Sequence, residues 1–246
     1  MRILLVRHAE PDYSRDSLTE KGFREAEYLA ERLARQQPSA LYCSPLGRAQ
    51  RTAEPTARRT GQPVRVLDWL TEFPGSIPDG RGGLTIPWNL EPRFWTDKPE
   101  YFDIRRWLEE ETMAGGTVPA SYRHVTACLD DFLRGYGYER SGILYRCAVN
   151  RDETVVLFCH FALGMVLTSH LSGISPVLLW QTLFLPTSSV TTFVTEERHP
   201  GEVVFKCLQM GDTSHLYAHD EPVSGSGLFP EFFDRKTDGS RTGPRR

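Results

Sequence analysis

Short apolar runs, each closed by a polar residue capable of chemistry, set the rhythm of the chain. Ile3-Leu4-Leu5-Val6 leads into Arg7 and His8, and Ser39-Ala40-Leu41-Tyr42-Cys43 into Ser44-Pro45-Leu46-Gly47-Arg48. Val64-Arg65-Val66-Leu67 comes shortly before Leu70-Thr71-Glu72, and Thr154-Val155-Val156-Leu157-Phe158-Cys159 ends at His160. Branched and apolar runs of this length predict strands. Between them the apolar spacing changes to that of helices. A helix from Thr19 to Gln36 is expected to carry Phe23, Ala26, Leu29, Ala30 and Leu33 on one face. A second is expected after Ser44 as N-cap and Pro45 as first helical residue, running through Ala49, Thr52 and Ala53. A third covers Pro119 to Gly135 with Val125, Cys128, Leu129, Phe132 and Leu133 inward. A fourth covers Ala162 to Leu171 and is closed by Gly173.

Ile143–Val149 and Val155–Cys159, around a turn at Asn150-Arg151-Asp152-Glu153, predict two adjoining strands, and Ser189–Thr195 and Val203–Leu208 a second pair. Strands alternating with helices place the chain in the α/β class. Residues 73–116 break the alternation with Pro74, Pro78, Gly82, Gly83, Pro87 and Pro92, and hold Trp88, Trp95 and Trp107. A loop-rich stretch of that length is functional or disordered, and its aromatics argue against disorder. It is therefore expected to be a lid over the strand ends, inserted in a single domain of residues 1–220. Residues 221–246 are expected to be a polar tail, with the last dozen or so mobile.

With 246 residues the chain can bury a large single core. Its net charge of −3 and the lack of a basic stripe speak against a nucleic-acid surface. No run approaches a membrane span, and the four-residue apolar start is too short for a signal peptide. Cys43, Cys128, Cys147, Cys159 and Cys207 are scattered, which reads as reduced, mostly buried thiols in a cytoplasmic protein. No spacing supports a metal site.

Arg7 and His8 at the carboxyl end of a strand lie where open α/β sheets hold ligands. A guanidinium grips an oxyanion, and an imidazole can act as nucleophile or proton carrier. A surface Arg-His pair that merely follows a strand is the other reading. Arg48, in the first turn of a helix, would reinforce the anion-attracting field of the helix N-terminus, or simply lie solvated on an exposed face. Glu72 and His160 follow further strands, and four such sites on one sheet edge favour the functional reading.

These segments resemble the histidine phosphatase superfamily, also called phosphoglycerate mutase-like. Leu5-Val6-Arg7-His8-Ala9-Glu10 is similar to L-V-R-H-G-E, Leu18-Thr19-Glu20-Lys21-Gly22 to L-T-x-x-G, and Ser44 to Ala53 to S-P-L-x-R-A-x-x-T-A. Leu70-Thr71-Glu72 is similar to L-x-E and Cys159-His160-Phe161 to S-H-G, so that the matching segments run from residue 3 to about residue 195. The resemblance implies a three-layer α/β/α sandwich with a mostly parallel central sheet. It implies a phosphatase acting on a small phosphomonoester without cofactor or metal. His8 would form a phosphohistidine. Arg7, His8, Arg48 and His160 would bind the phosphoryl group, and Glu72 would protonate the leaving oxygen and then activate water. Ala9 and Phe161 replace the usual glycines, Pro11 the usual Thr, and Ser14 an Asn that touches phosphate in many members. Two other functions fit the same residues. A phosphoglycerate-type mutase would carry E-R-H-Y-G where this chain has Glu72-Phe73-Pro74-Gly75-Ser76. A silent phospho-ligand module would have lost a nucleophile or an acid, and both stand here. The pattern names neither the substrate nor an oligomeric state.

Overall fold

The computed structural model describes residues 1–228. The expected mobile end of the tail falls outside them. The chain begins with β1 (Arg2–Arg7), a small hairpin of β2 (Pro11–Asp12) and β3 (Ser17–Leu18), α1 (Glu20–Ala34), β4 (Ala40–Cys43), α2 (Gly47–Thr60) and β5 (Val64–Val66). The insert holds the hairpin of β6 (Ile77–Pro78) and β7 (Leu84–Thr85) and the one-turn α3 (Glu111–Ala114). Then come α4 (Val118–Gly135), β8 (Glu139–Ser141), β9 (Leu144–Arg146), β10 (Thr154–Cys159), α5 (Phe161–Ser172), α6 (Pro176–Thr182), β11 (Val190–His199), β12 (Glu202–Asp212) and α7 (Ser214–Tyr217).

Eight strands form one sheet in the order β5-β4-β10-β1-β11-β12-β9-β8. From β5 to β1 all neighbours run parallel, and from β1 outward the pairing is antiparallel. The two-residue period of the strands builds a core on each face. Leu4, Val6, Leu41, Cys43, Val156 and Phe158 pack with Leu29 and Leu33 of α1 and Ala53 of α2. Ile3, Leu5, Tyr42, Val155, Leu157 and Cys159 pack with Val125, Leu129 and Leu133 of α4 and Leu163 and Val166 of α5. Each fully buried aliphatic chain is worth about 1.5–3 kcal/mol of transfer free energy. The sheet is thus covered on both faces, the three-layer sandwich that the resemblance implies. No described helix is long and apolar enough to cross a membrane.

Several elements differ from the sequence reading. Helix α2 starts at Gly47, so Ser44 is not its N-cap nor Pro45 its first residue. The Ser44 hydroxyl instead receives the Leu46 N–H at 3.2 Å and lies 2.8 Å from His160 Nε2, while the Asp16 carboxylate accepts the Gly47 N–H at 2.6 Å. The residues around 143–149 do not pair with β10. They contribute β9, next to the far edge strand β8 and paired also with β12, with Ile143 exposed in the β8–β9 turn. Phe23 is 46% exposed, because it lies off the arc that α1 turns to the sheet. Only Cys43 and Cys159 are buried; Cys128 and Cys147 are half-buried and Cys207 is exposed.

The insert is packed rather than loose. Tyr101 and Trp107 are fully buried. Trp107 meets Tyr122 and Trp180 edge-on at 4.9 and 5.9 Å, and Trp88 lies 6.4 Å from Trp180. Gln181 on α6 donates to Pro87 O at 2.8 Å. Trp88 and Trp95 stay half-buried.

Candidate active site

Three parallel strands end at one level. His8 N–H donates to Cys159 O at 2.9 Å, and Ser44 N–H to Phe158 O at 2.9 Å. Arg7-His8, Ser44 and His160 therefore leave the sheet side by side, with Arg48 one helical step past the start of α2. The His8 and His160 rings lie 5.1 Å apart between centroids. Both are buried, at 2% and 0% exposure. Glu72 enters from the loop after β5 and feels both guanidiniums. All five residues singled out in the sequence meet here.

His8 Nδ1 is 2.8 Å from Ala9 O. A carbonyl can only accept, so Nδ1 carries the proton and Nε2 presents its lone pair. Burial, then the Arg7 charge, pull the pKa of His8 down to about 3. The ring is therefore neutral, as a nucleophile must be. Burial, then His8 and the two arginines, lower His160 to about 2. His160 Nε2 lies 2.8 Å from the Ser44 hydroxyl, and its Nδ1 is a buried atom without a partner. Arg7 Nε and Arg48 Nε are likewise buried and unpartnered. Unsatisfied buried donors are costly, and a group of them beside a neutral imidazole is a seat for an oxyanion.

Glu72 Oε1 accepts the Phe73 N–H at 2.8 Å and the Leu163 N–H at 3.1 Å. These bonds fix the carboxyl and leave Oε2 for chemistry. Burial raises its pKa above the usual carboxylate range, although the backbone donors and the arginines pull the other way. A carboxyl raised in this way can carry a proton to a leaving group.

Several supporting residues gave no signal in the sequence. Asp16 receives Arg48 Nη1 at 2.8 Å, and its backbone carbonyl occupies the place where a Cβ on Gly47 would sit, 2.2 Å away. Tyr13 lies 5.5 Å from the Arg48 guanidinium. Thr52 Oγ1 accepts the Ala9 N–H at 2.9 Å. Arg7 Nη1 donates to Leu185 O at 2.5 Å and Nη2 to Ser226 O at 3.0 Å, and its guanidinium is 5.7 and 5.3 Å from the Phe161 and Phe184 rings. The beginning of the tail thus rests on the site. Two further carboxylates, Asp79 and Glu91, lie in the insert. Asp79 there caps its own turn, accepting the Arg81 and Gly83 N–H groups, and Glu91 pairs with Arg93. Glu10 takes up the Thr19 and Ser224 hydroxyls.

A sequence profile of the histidine phosphatase superfamily, branch 1, matches residues 3–207, and the chain belongs to this family. It is 28% identical over 144 residues to phosphoserine phosphatase 1 of Hydrogenobacter thermophilus. That alignment takes in 53% of this chain and 64% of the relative, just under two thirds of the latter's length. The fold is similar to that of mycobacterial glucosyl-3-phosphoglycerate phosphatase complexed with VO3, at 25% identity and a TM-score of 0.54, over 85% of this chain and 97% of that one. It is also similar to phosphoserine phosphatase from Entamoeba histolytica complexed with 3-phosphoglyceric acid, at 20% identity and a TM-score of 0.57, over 87% and 98% of the two chains.

Proposed function

We propose that this chain is a phosphatase that hydrolyses a small phosphomonoester through a phosphohistidine on His8. The observation that carries the reading is the neutral His8 imidazole, with Nε2 unprotonated, set beside three buried unpartnered nitrogens on Arg7, Arg48 and His160. In the first step His8 Nε2 bonds to phosphorus and the ester P–O bond breaks, with the Glu72 proton passing to the leaving oxygen. In the second, water attacks phosphorus, Glu72 takes its proton, and the P–N bond breaks to release phosphate and neutral His8. Arg7, Arg48 and His160 stabilise the equatorial oxygens, the main catalytic task in phosphoryl transfer. A dianion bound between them favours the cationic form of His160, which its apo surroundings suppress.

Residues 73–116 serve in this reading as a lid. Its support is the tie from Pro87 to α6 and from Trp180 Nε1 to Ala162 O at 3.1 Å, two residues past His160. The five free cysteines, two of them buried, suit a cytoplasmic site of action. The test is incubation with a 32P-labelled phosphomonoester and chelator. Label should appear on the wild-type protein, survive alkali, be lost in acid, and be absent from His8→Ala. Label retained on His8→Ala would falsify the mechanism. Transfer of label to a second substrate hydroxyl rather than to water would favour the mutase.

A further inference from the structure

Beneath the two site residues of β1, a turn that precedes β11 grips them from behind. β11 runs antiparallel to β1 with Val190 opposite Val6. The pairing continues past the strand end: Arg7 N–H donates to Ser189 O and Ser188 N–H to His8 O, both at 3.1 Å. The same turn holds the arginine through Leu185 O at 2.5 Å. Through Thr187 Oγ1 on Glu25, whose other oxygen accepts the Glu10 N–H at 2.9 Å, it holds the rest of the loop.

The bond to the His8 carbonyl depends on an unusual backbone. Ser188 has φ +57, the left-handed region that a Cβ disfavours. A conformation of this kind persists where its surroundings over-determine it. What holds Ser188 comes from outside the turn. Its Oγ lies 3.0 Å from Nε2 of His215 on α7, and both residues are buried. The segment leading into α7 is itself fixed to α1 by the ion pair of Arg32 with Asp212 at 2.7 Å. Burial keeps His215 neutral, with a pKa of about 4. It brings no charge beside the guanidiniums and contributes only the direction of one hydrogen bond.

We propose that His215 is a positioning residue for His8: it holds the Ser188 hydroxyl, keeps that residue left-handed, and so fixes the carbonyl and ring of His8 at the strand end. The inference rests on the reading of His8 as nucleophile. Misplacing a reacting group by about 1 Å can cost roughly 10²-fold in rate, whereas the oxyanion donors on Arg7, Arg48 and His160 do not touch His215.

The experiment compares His215→Leu, His215→Gln, Ser188→Gly and the Ser188→Gly/His215→Leu double variant. The readouts are steady-state hydrolysis of an aryl phosphate and inhibition by inorganic phosphate. His215→Leu should lower kcat roughly 10–100-fold, with the phosphate inhibition constant within about twofold of wild type. His215→Gln, whose amide nitrogen can reach the place of Nε2, should recover most of kcat. Ser188→Gly takes up the left-handed backbone without help from a side chain, so it should keep most of kcat and, in the double variant, restore the kcat lost in His215→Leu. Unchanged kcat in folded His215→Leu, an equal loss in His215→Gln, or a double variant no faster than His215→Leu would each overturn the proposal. Should His215→Leu not fold, Ser188→Ala and Ser188→Gly decide it: low kcat in Ser188→Ala, which keeps the Cβ and loses the hydroxyl, with near-full kcat in Ser188→Gly supports it, and equal kcat in the two overturns it. His8→Ala run alongside keeps the two readings apart. Turnover surviving there overturns the nucleophile, whereas lost turnover there with full kcat in folded His215→Leu overturns only the role of His215.

Discussion

The rings of His8 and His160 lie 5.1 Å apart with their planes inclined at 59°, and neither can be a cation in the free protein. Each is buried beside two guanidiniums, and His8 further disfavours a charge on His160. In the unfolded chain both return to about 6.5. Below that pH the unfolded state binds protons that the folded state refuses, so stability is full above about 6.5 and falls with falling pH toward the folded values of about 3 and 2. The slope is at most about 1.4 kcal/mol per pH unit for each histidine. Chemical denaturation between pH 7 and 5 should show this loss, and His160→Gln should flatten it. An equal slope in that variant would mean that His160 is already solvated.

Glu72 should matter in proportion to how badly the leaving oxygen needs a proton. In Glu72→Gln the amide oxygen can still accept the Phe73 and Leu163 N–H groups, so the loop should stay in place. Alkyl phosphates should slow by about 10²–10⁴, and nitrophenyl phosphate, whose leaving group is stable as the anion, far less. Because burial raises the pKa of Glu72, the alkyl rate in wild type should hold into a higher pH range than an ordinary carboxyl allows, and fall once Glu72 ionises. Equal losses for both substrates would point to a different acid.

The parallel half of the sheet was legible because buried strands are continuous apolar runs, and their ends carry the residues of the candidate site. Arg7, His8, Arg48, Glu72 and His160 could therefore be named from the chain. The β8–β9 edge was not, since a three-residue strand with Ile143 in an exposed turn has no two-sided burial to mark it. Nor was the Ser44–His160 bond, because Ser-Pro before a helix is also the pattern of an N-cap, and only the fold shows where the hydroxyl points. Asp16 meets Gly47 across 31 residues of sequence, and Ser188 in its left-handed turn meets His215 side chain to side chain across 27, features with no local signature.

The insert invites a test that separates packing from substrate contact. Trp107 is buried among Tyr122 and Trp180, so Trp107→Ala should cost about 3–5 kcal/mol of stability. Trp88 and Trp95 are half-buried. Their replacement by Ala should raise KM for the true substrate while sparing a small generic phosphate, whose phosphoryl contacts lie elsewhere. If neither change alters any constant for a verified substrate while Tm falls, these two rings serve packing alone.

The start of the tail takes up a guanidinium donor of the candidate phosphate site. Ser226 O accepts a hydrogen bond from Arg7 Nη2, and a Cβ at Gly227, which has φ +92, would stand 2.6 Å from that same nitrogen. Glu221 pins the segment through Lys21 at 2.7 Å and Arg24 at 2.9 Å. Arg7 keeps its Leu185 bond without the tail, so lifting the tail frees one donor for a phosphoryl oxygen. Gly227→Val, which cannot lie against the guanidinium, should therefore tighten inhibition by inorganic phosphate. A hydrogen bond to a charged group contributes about 1.5–3 kcal/mol, and the exchange of one acceptor for another should return only part of that, roughly three- to tenfold. Glu221→Ala, which loosens the tail without a clash, should move the constant the same way. Weaker inhibition in both would make the tail part of the phosphate site, and no change in either would make the Ser226 contact incidental.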